Sequence, residues 1–395
     1  MKVLFLTDSL SDLDGVGRYA MRLIAKLEEH AQSQPDGDGQ PLQVEVLLAR
    51  KHRPTSDQVP EHWKVRVALP PDYFFYMSPV RFWIWYLIGT WRTFWAARSA
   101  DVVHAIKDYP HSAVALAAAR LAGKPCVATA HGTYTIQPLV SARHARRARR
   151  VYSGFARMIA VSRYTRRRLL ELCKAQDLVL DGVEVIPNAV SAGHYMDPRD
   201  VGPKPWHGRR FTLGIGEVKE RKGHHLAVEA WAKIAASRPD LHHYIIGKRS
   251  GDEYEERLMK LAAERGVASQ LHLVGNVSED EKIDLLQRAQ LFLHTPVTAA
   301  DGGFEGFGIV YLEASAAGQP VIGTLDSGAE DAVVEGETGY LVEQRADAVG
   351  AALAELLGDE PLRLRMGAAG RAHAQRSTWD DNARKVLAIY REVRR

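Results

Sequence analysis

Short apolar, largely β-branched runs recur along the chain, separated by stretches whose apolar positions repeat at intervals of three and four. KVLFL, VEVLLA, KVRVA, DVVHAI, CVATAH, MIAVS and VEVIP fall in the first half; FTLGIG, HHYIIG, LHLVG, LFLHTP, PVIGT and GYLV fall in the second. The runs read as strands and the stretches between them as helices; Val16, Ala20, Leu23, Ile24 and Leu27 form one such helical stripe. Strands alternating with helices predict an α/β protein with parallel sheets covered on both faces. The rhythm breaks once, at SAGHYMDPRDVGPKPWHGRR, whose three prolines and lack of periodicity predict a linker over residues 191–210. The expected organisation is two doubly wound, Rossmann-like domains facing across a cleft, residues 1–190 and 211–376. A closing helix over 377–395, with Trp379, Ala383, Val386, Leu387 and Tyr390 at helical spacing, is expected to pack on one or both. Such sheets bind ligands outside the carboxyl ends of their strands.

Composition narrows the class. The 395 residues are 46% hydrophobic and 25% charged, which is globular rather than disordered. The only cysteines are Cys126 and Cys173, so no disulfide framework is expected and a reducing, cytoplasmic compartment is. The run Val3 to Leu6 is too short for a signal peptide, and Phe82 to Trp91 is about half of the ~20 apolar residues a membrane span needs. Residues 1–200 hold 27 Lys and Arg against 19 Asp and Glu, a balance of +8; the remainder, 25 against 29, carries −4. No zinc spacing, basic zipper or other nucleic-acid motif accompanies the basic half, so no nucleic-acid partner is expected.

The chemistry concentrates in FEGFGIVYLEASAAGQPVIGT, residues 304–324. Gly306, Phe307 and Gly308 lead into a helix starting near Ile309, and a glycine-rich loop at a helix N-terminus offers backbone N–H groups and a positive dipole end to a diphosphate. Glu305 sits where it can accept hydrogen bonds from sugar hydroxyls; Glu313, a little over two turns on, is placed to reach a ribose. Alone, the pair Glu305 and Glu313 also reads as a solvated helix face. A second loop, GIGEVKERKG, runs from a strand through Lys219, Arg221 and Lys222 into another helix.

Together these motifs resemble the family 4 retaining glycosyltransferases of the GT-B fold, also called glycosyltransferase group 1. IPNAV at 186–190, VGNVSEDE at 274–281 and SGAEDAVVEGETGYLV at 327–342 extend the resemblance, as do DGVGRYA at 14–20, DVVH at 101–104, AHGTY at 130–134 and AVSRYT at 160–165 in the first half. The resemblance implies that Lys222 neutralises a departing diphosphate with Arg221 and the backbone at Gly308 and Ile309. It also implies that Glu305 holds donor-sugar hydroxyls, Glu313 the ribose, and Val277 the neighbourhood of the nucleobase. Gly15 and Gly17 would let the first loop approach the donor, and His131 would point to the reacting sugar. The family commonly has arginine where this chain has Glu217, leaving Lys219 or Arg221 as the second cation. Implied overall are a hexosyltransferase using a nucleoside diphosphate sugar, of the UDP-sugar or GDP-mannose type, without metal or other cofactor.

Other readings stand beside this one: a nucleotide-sugar epimerase or hydrolase on the same scaffold, or a binding protein without catalysis. Gly15 to Ala20 also matches a dinucleotide fingerprint, but Asp12 and Asp14 flank the pyrophosphate position, and the second strand ends in Arg50 and Lys51 without a ribose-binding acid. His131 and His104 each sit at a strand end and read equally as structural; no third ligand suggests metal. The segment 73–95 holds Trp83, Trp85, Trp91 and Trp95, and Ser141 to Leu170 holds ten arginines and no acid, with Arg143, Arg146, Arg147 and Arg150 on one helical face. Core packing and a solvated face account for both; so does a glycan or lipid-linked acceptor at an anionic membrane, placing the protein peripherally on its inner face.

Overall fold

The structure, a computed structural model, describes residues 1–11, 14–33, 41–50, 55–299 and 302–395. Asp12, Lys51 and residues 34–40 lie outside the described residues. Every run read as a strand is one. In the first half these are β1 (Lys2–Thr7), β2 (Gln43–Arg50), β3 (Lys64–Pro71), β4 (Val102–Ala105), β5 (Cys126–Ala130), β6 (Arg157–Ala160) and β7 (Val183–Val185). The second half contributes β8 (Arg210–Ile215), β9 (Leu241–Ile246), β10 (Leu271–Gly275), β11 (Phe292–Leu293), β12 (Val321–Thr324) and β13 (Gly339–Val342).

They form two sheets, a seven-stranded one in the order β3-β2-β1-β4-β5-β6-β7 and a six-stranded one in the order β10-β9-β8-β11-β12-β13. All pairings are parallel. Continuous burial along β4, β5 and β12 shows why: strands without an outward polar face need cover on both sides, which the intervening helices provide. In each sheet the strand order reverses once, between β1 and β4 and between β8 and β11. At such a reversal the crossovers leave on opposite faces and open a crevice at the carboxyl ends.

The chain divides into two compact units, Met1–Asn188 with Trp379–Arg395, and Ala189–Thr378. The last helix, Trp379–Val393, returns to the N-terminal unit, where Trp379, Val386, Leu387 and Tyr390 are buried. Tyr390 hydrogen-bonds His104 Nδ1 at 2.5 Å, and the Asn382 amide donates to the Pro187 carbonyl at 2.7 Å. Residues 191–210, expected to be a linker, group with the C-terminal unit. Aperiodic and proline-rich, they are held by isolated anchors. Tyr195 and Trp206 are buried, and the Trp206 indole donates to Asp284 at 2.7 Å.

Because Tyr390 is fully buried in the N-terminal unit, Tyr390→Ala is expected to destabilise that unit by about 3–5 kcal/mol, the cost of truncating a large core aromatic. Urea denaturation of the variant against the wild type measures it.

Candidate active site

In the C-terminal unit, β8 ends at Ile215 and the chain turns through Glu220–Lys222 to Gly223, which begins the helix His224–Ala235. Gly223 has a φ of 67°, and a Cβ there would lie 1.6 Å from the Thr295 carbonyl oxygen, so only glycine permits the approach. The contact is sealed by Thr295 Oγ1 donating to the Gly223 carbonyl at 2.9 Å and by the Val297 N–H donating to the Arg221 carbonyl at 3.0 Å. Thr295 lies just past β11, on the other side of the strand-order reversal. The turn is therefore stapled to the opposite lip of the crevice, with the Lys222 side chain lying over Gly216, whose added Cβ would meet Lys222 Cδ at 3.3 Å.

From the β11 side the chain returns through Phe304 and Glu305, both buried. The Glu305 carbonyl accepts from Gly328 N–H at 2.8 Å, which fixes the loop before Gly308. Gly308, at φ 77°, caps the helix Ile309–Ala316, and a Cβ there would meet the Tyr311 ring at 2.7 Å. Lys222 Nζ donates to Glu305 Oε2; Arg221 Nη1 lies 3.9 Å and His294 Nε2 3.5 Å from the same oxygen. Burial alone would push the Glu305 carboxyl up, but Lys222, His294 and Arg221 outweigh it and hold it well below the usual carboxylate range. Burial lowers the Lys222 ammonium, and Glu305 opposes that shift. The loop thus presents two cations around one buried carboxylate.

Glu313 stands in the same helix but is 2% exposed. Its Oε1 accepts from the Tyr195 hydroxyl at 2.8 Å and its Oε2 from Lys282 Nζ at 3.2 Å. Lys282 also reaches the Tyr195 hydroxyl at 3.2 Å, closing a buried triad. Val277 is half-buried in the turn between β10 and the helix Glu279–Arg288.

The N-terminal unit has its own crevice residues. Gly15 begins the helix Gly15–Ser33 with open space beside it, whereas a Cβ on Gly17 would meet the Ser11 carbonyl and Ser9 Oγ at 2.7 Å. Asp14 Oδ1 accepts from Gly17 N–H at 2.6 Å, so an acid already caps the helix end where a dinucleotide pyrophosphate would sit. His131 follows β5, its ring edge-on to Tyr19 at 4.9 Å and its backbone N–H directed to Asp108. Nε2 of His131 is buried with no hydrogen-bond partner. Burial lowers its pKa against the pull of Asp108, keeping the ring neutral at neutral pH. His104 differs: Tyr390 and Thr129 satisfy both ring nitrogens, at 2.5 and 2.8 Å, and burial takes its pKa down to about 3, as for a core histidine. Among the described residues no group of three or more His, Cys, Asp or Glu is disposed to hold a metal ion.

Residues 13–193 match the Glycosyltransferase Family 4 model and residues 201–373 the Glycosyl transferases group 1 model. Phosphatidyl-myo-inositol mannosyltransferase of Mycolicibacterium smegmatis is 30% identical over 74% of this chain and 71% of its own. The chain belongs to glycosyltransferase family 4. D-inositol 3-phosphate glycosyltransferase of Corynebacterium urealyticum is 32% identical over 45% of this chain and 42% of its own. The chain spans about half the length of several curated relatives that it matches. Among solved structures, Anabaena HepE in complex with UDP and glucose superposes with a TM-score of 0.76 at 17% identity, over 99% of this chain and 100% of that one. The fold is GT-B.

The structure separates the two cations expected to compensate for Glu217. Lys219 pairs with Glu217 at 2.7 Å, while Arg221 joins Lys222 at Glu305. Sequence reasoning missed Tyr195, Lys282 and His294. Tyr195 lay in an apparent linker and Lys282 in an acidic helix that reads as solvated. His294 followed a strand without a motif; only its position at a strand's carboxyl end could have flagged it. Arg146 and Arg150 are exposed, Arg147 lies 4.2 Å over the Trp83 ring, Arg143 sits 5.5 Å over Phe82, and Trp85 is half-buried.

Two outcomes are expected. Lys282→Met strands the Glu313 carboxylate in the interior and should cost about 3–5 kcal/mol, whereas the double variant Lys282→Met/Glu313→Gln should recover part of that loss; chemical denaturation reads both. Because the Glu305 carboxyl is depressed in the folded state, its stabilisation is full at neutral pH and is lost as pH falls below about 4. Glu305→Gln should flatten that acid limb of the stability profile.

Proposed function

We propose that this chain is a retaining, metal-independent glycosyltransferase that moves a hexose from a nucleoside diphosphate sugar to a hydroxyl of a lipid-linked acceptor. One observation carries the reading: Lys222 and Arg221 converge on the buried Glu305 at the carboxyl ends of β8 and β11, beside the N-terminus of the helix Ile309–Ala316. Without a donor, Glu305 neutralises these cations. When a diphosphate binds, its oxygens take up Lys222, Arg221 and the backbone N–H groups after Gly308, and Glu305 turns to the hydroxyls of the sugar.

The leaving diphosphate gains charge as the anomeric carbon–oxygen bond breaks, and fixed cations placed there stabilise the transition state. The acceptor oxygen forms the new bond from the face the nucleotide leaves, and its proton passes to the departing phosphate oxygen. No protein nucleophile is assigned. Glu313, oriented by Tyr195 and Lys282, is the group assigned to a ribose diol, and Val277 borders the base. The N-terminal unit holds the acceptor, with the neutral His131 as a hydrogen-bonding group for a sugar hydroxyl. The lipid-linked acceptor is supported by the relatives named phosphatidylinositol mannosyltransferases, some of them GDP-mannose-dependent. A UDP-sugar is supported by HepE, whose structures hold UDP-glucose or UDP and glucose.

A thermal-shift series with UDP, GDP, ADP, CMP and their sugar conjugates, without added metal, tests the donor half. A ligand at ~100 times its Kd should add about 2.7 kcal/mol to the wild type and less to Lys222→Ala. With the donor so identified, Lys222→Ala and Glu305→Ala should each lower turnover by ~10² or more. Wild-type turnover from either folded variant, or no shift from any nucleotide, overturns the site.

A further inference from the structure

The helix Pro79–Ala97 has one face that packing explains and one that it does not. Phe82, Gly89, Thr93 and Ala96 are buried on the side packed against β3 and the helix His111–Leu121. Gly89 is required there, since a Cβ would meet the Pro70 ring at 2.7 Å. The opposite side carries Val80, Trp83, Ile84, Leu87, Ile88, Trp91 and Trp95, all exposed, with Leu87 at 63% and Trp91 at 60%. At ~100° per residue these seven fill one arc of roughly 140°, a width that normally faces a core. Large contiguous apolar patches on a folded surface mark an interaction site.

The charges around this face select its partner. Arg81 and Arg92 are exposed along one edge of the arc. Beyond Trp83, at the other edge, the Arg147 guanidinium stacks 4.2 Å over the Trp83 ring, and Arg143 and Arg147 lie 5.5 and 4.9 Å over Phe82. Arg98, at the helix end, lies 5.2 Å over Trp95. No Asp or Glu occurs between Asp72 and Asp101, nor between Asp108 and Glu171. An apolar strip rich in tryptophan with arginine on both margins matches the boundary of a bilayer bearing anionic headgroups: acyl chains take the strip, the indoles sit at the interface and phosphates take the guanidinium groups. A second copy of the chain is the poorer fit, because a two-fold pairing of this face would set one copy's arginines near the other's. No helix among the described residues is long and apolar enough to cross a membrane.

We infer that the helix Pro79–Ala97 docks in the plane of an anionic lipid bilayer through Val80, Trp83, Leu87, Trp91 and Trp95, with Arg81, Arg92, Arg143 and Arg147 engaging the lipid phosphates. The inference deepens the lipid-linked acceptor reading, because it seats the N-terminal unit on the surface where such an acceptor resides.

The test uses the full chain and needs no sugar transfer, so failure of the transferase reading leaves its outcome intact. Sedimentation is measured with vesicles of phosphatidylcholine alone and of phosphatidylcholine with phosphatidylglycerol, at low and high salt. The wild type should bind the anionic vesicles at low salt, bind the zwitterionic ones at least about tenfold more weakly, and shift its tryptophan emission to the blue on binding. Leu87→Glu/Trp91→Glu, both exposed positions, should lose at least about tenfold in anionic-vesicle binding while keeping its melting temperature and its nucleotide-induced shift. Arg81→Ala/Arg92→Ala should weaken only the salt-sensitive part. No sedimentation of the wild type with anionic vesicles at low salt overturns the proposal, as does equal binding by Leu87→Glu/Trp91→Glu. So does a vesicle-free dimer by light scattering that the same variant converts to monomer, which would assign the face to a second copy.

Discussion

The C-terminal unit depends on keeping charge inside it. Glu305 and Glu313 project from one loop-helix segment into surroundings from which water is largely removed, where an isolated carboxylate would be neutralised or would destabilise the fold. Each is kept by a lysine that the backbone delivers to it: Lys222 on a turn stapled to Thr295, and Lys282 from the helix Glu279–Arg288. The strand order makes this delivery feasible, since β8 and β11 are neighbours whose crossovers leave on opposite faces. The same arrangement that satisfies the charges leaves a cationic lip beside a helix N-terminus, and a diphosphate is the ligand that needs both. Stability and the proposed chemistry therefore draw on the same two ion pairs.

What the sequence made legible follows from how each feature is held. The strands were readable because parallel sheets buried on both faces demand unbroken apolar runs, and KVLFL or CVATA can be little else. Lys222 and Glu305 stand beside glycines that tight contacts and positive φ fix, the Thr295 backbone at Gly223 and the Tyr311 ring at Gly308, and those glycines mark a motif. Tyr195 and Lys282 left no such mark. Their roles arise from tertiary contacts of residues 31 to 118 positions apart, inside segments whose local composition reads as linker and as solvated helix. His104 shows the converse error of position: a strand-end histidine invites a functional reading until the last helix of the chain brings Tyr390 to it.

The charge asymmetry of the two halves also becomes a structural statement. In the C-terminal unit the cations are largely consumed internally: Lys204 by Glu281, Lys222 by Glu305, Arg249 by Glu255, Arg265 by Glu229 and Lys282 by Glu313. In the N-terminal unit the helix Ala145–Tyr152 has no acid within its own segment, and its Arg147 is received by aromatic rings instead. A guanidinium over a ring keeps its full charge and most of its hydrogen-bond donors available outward, whereas one paired to a carboxylate does not. Part of the excess of +8 in residues 1–200 is thus carried in a form that other anions can still reach, while Lys2, Lys64 and Arg66 share the buried Glu45. The two buried carboxylates of the C-terminal unit therefore draw their lysines inward, whereas Arg147 of the N-terminal unit, received by rings rather than by an acid, keeps a charge that an anion can still meet.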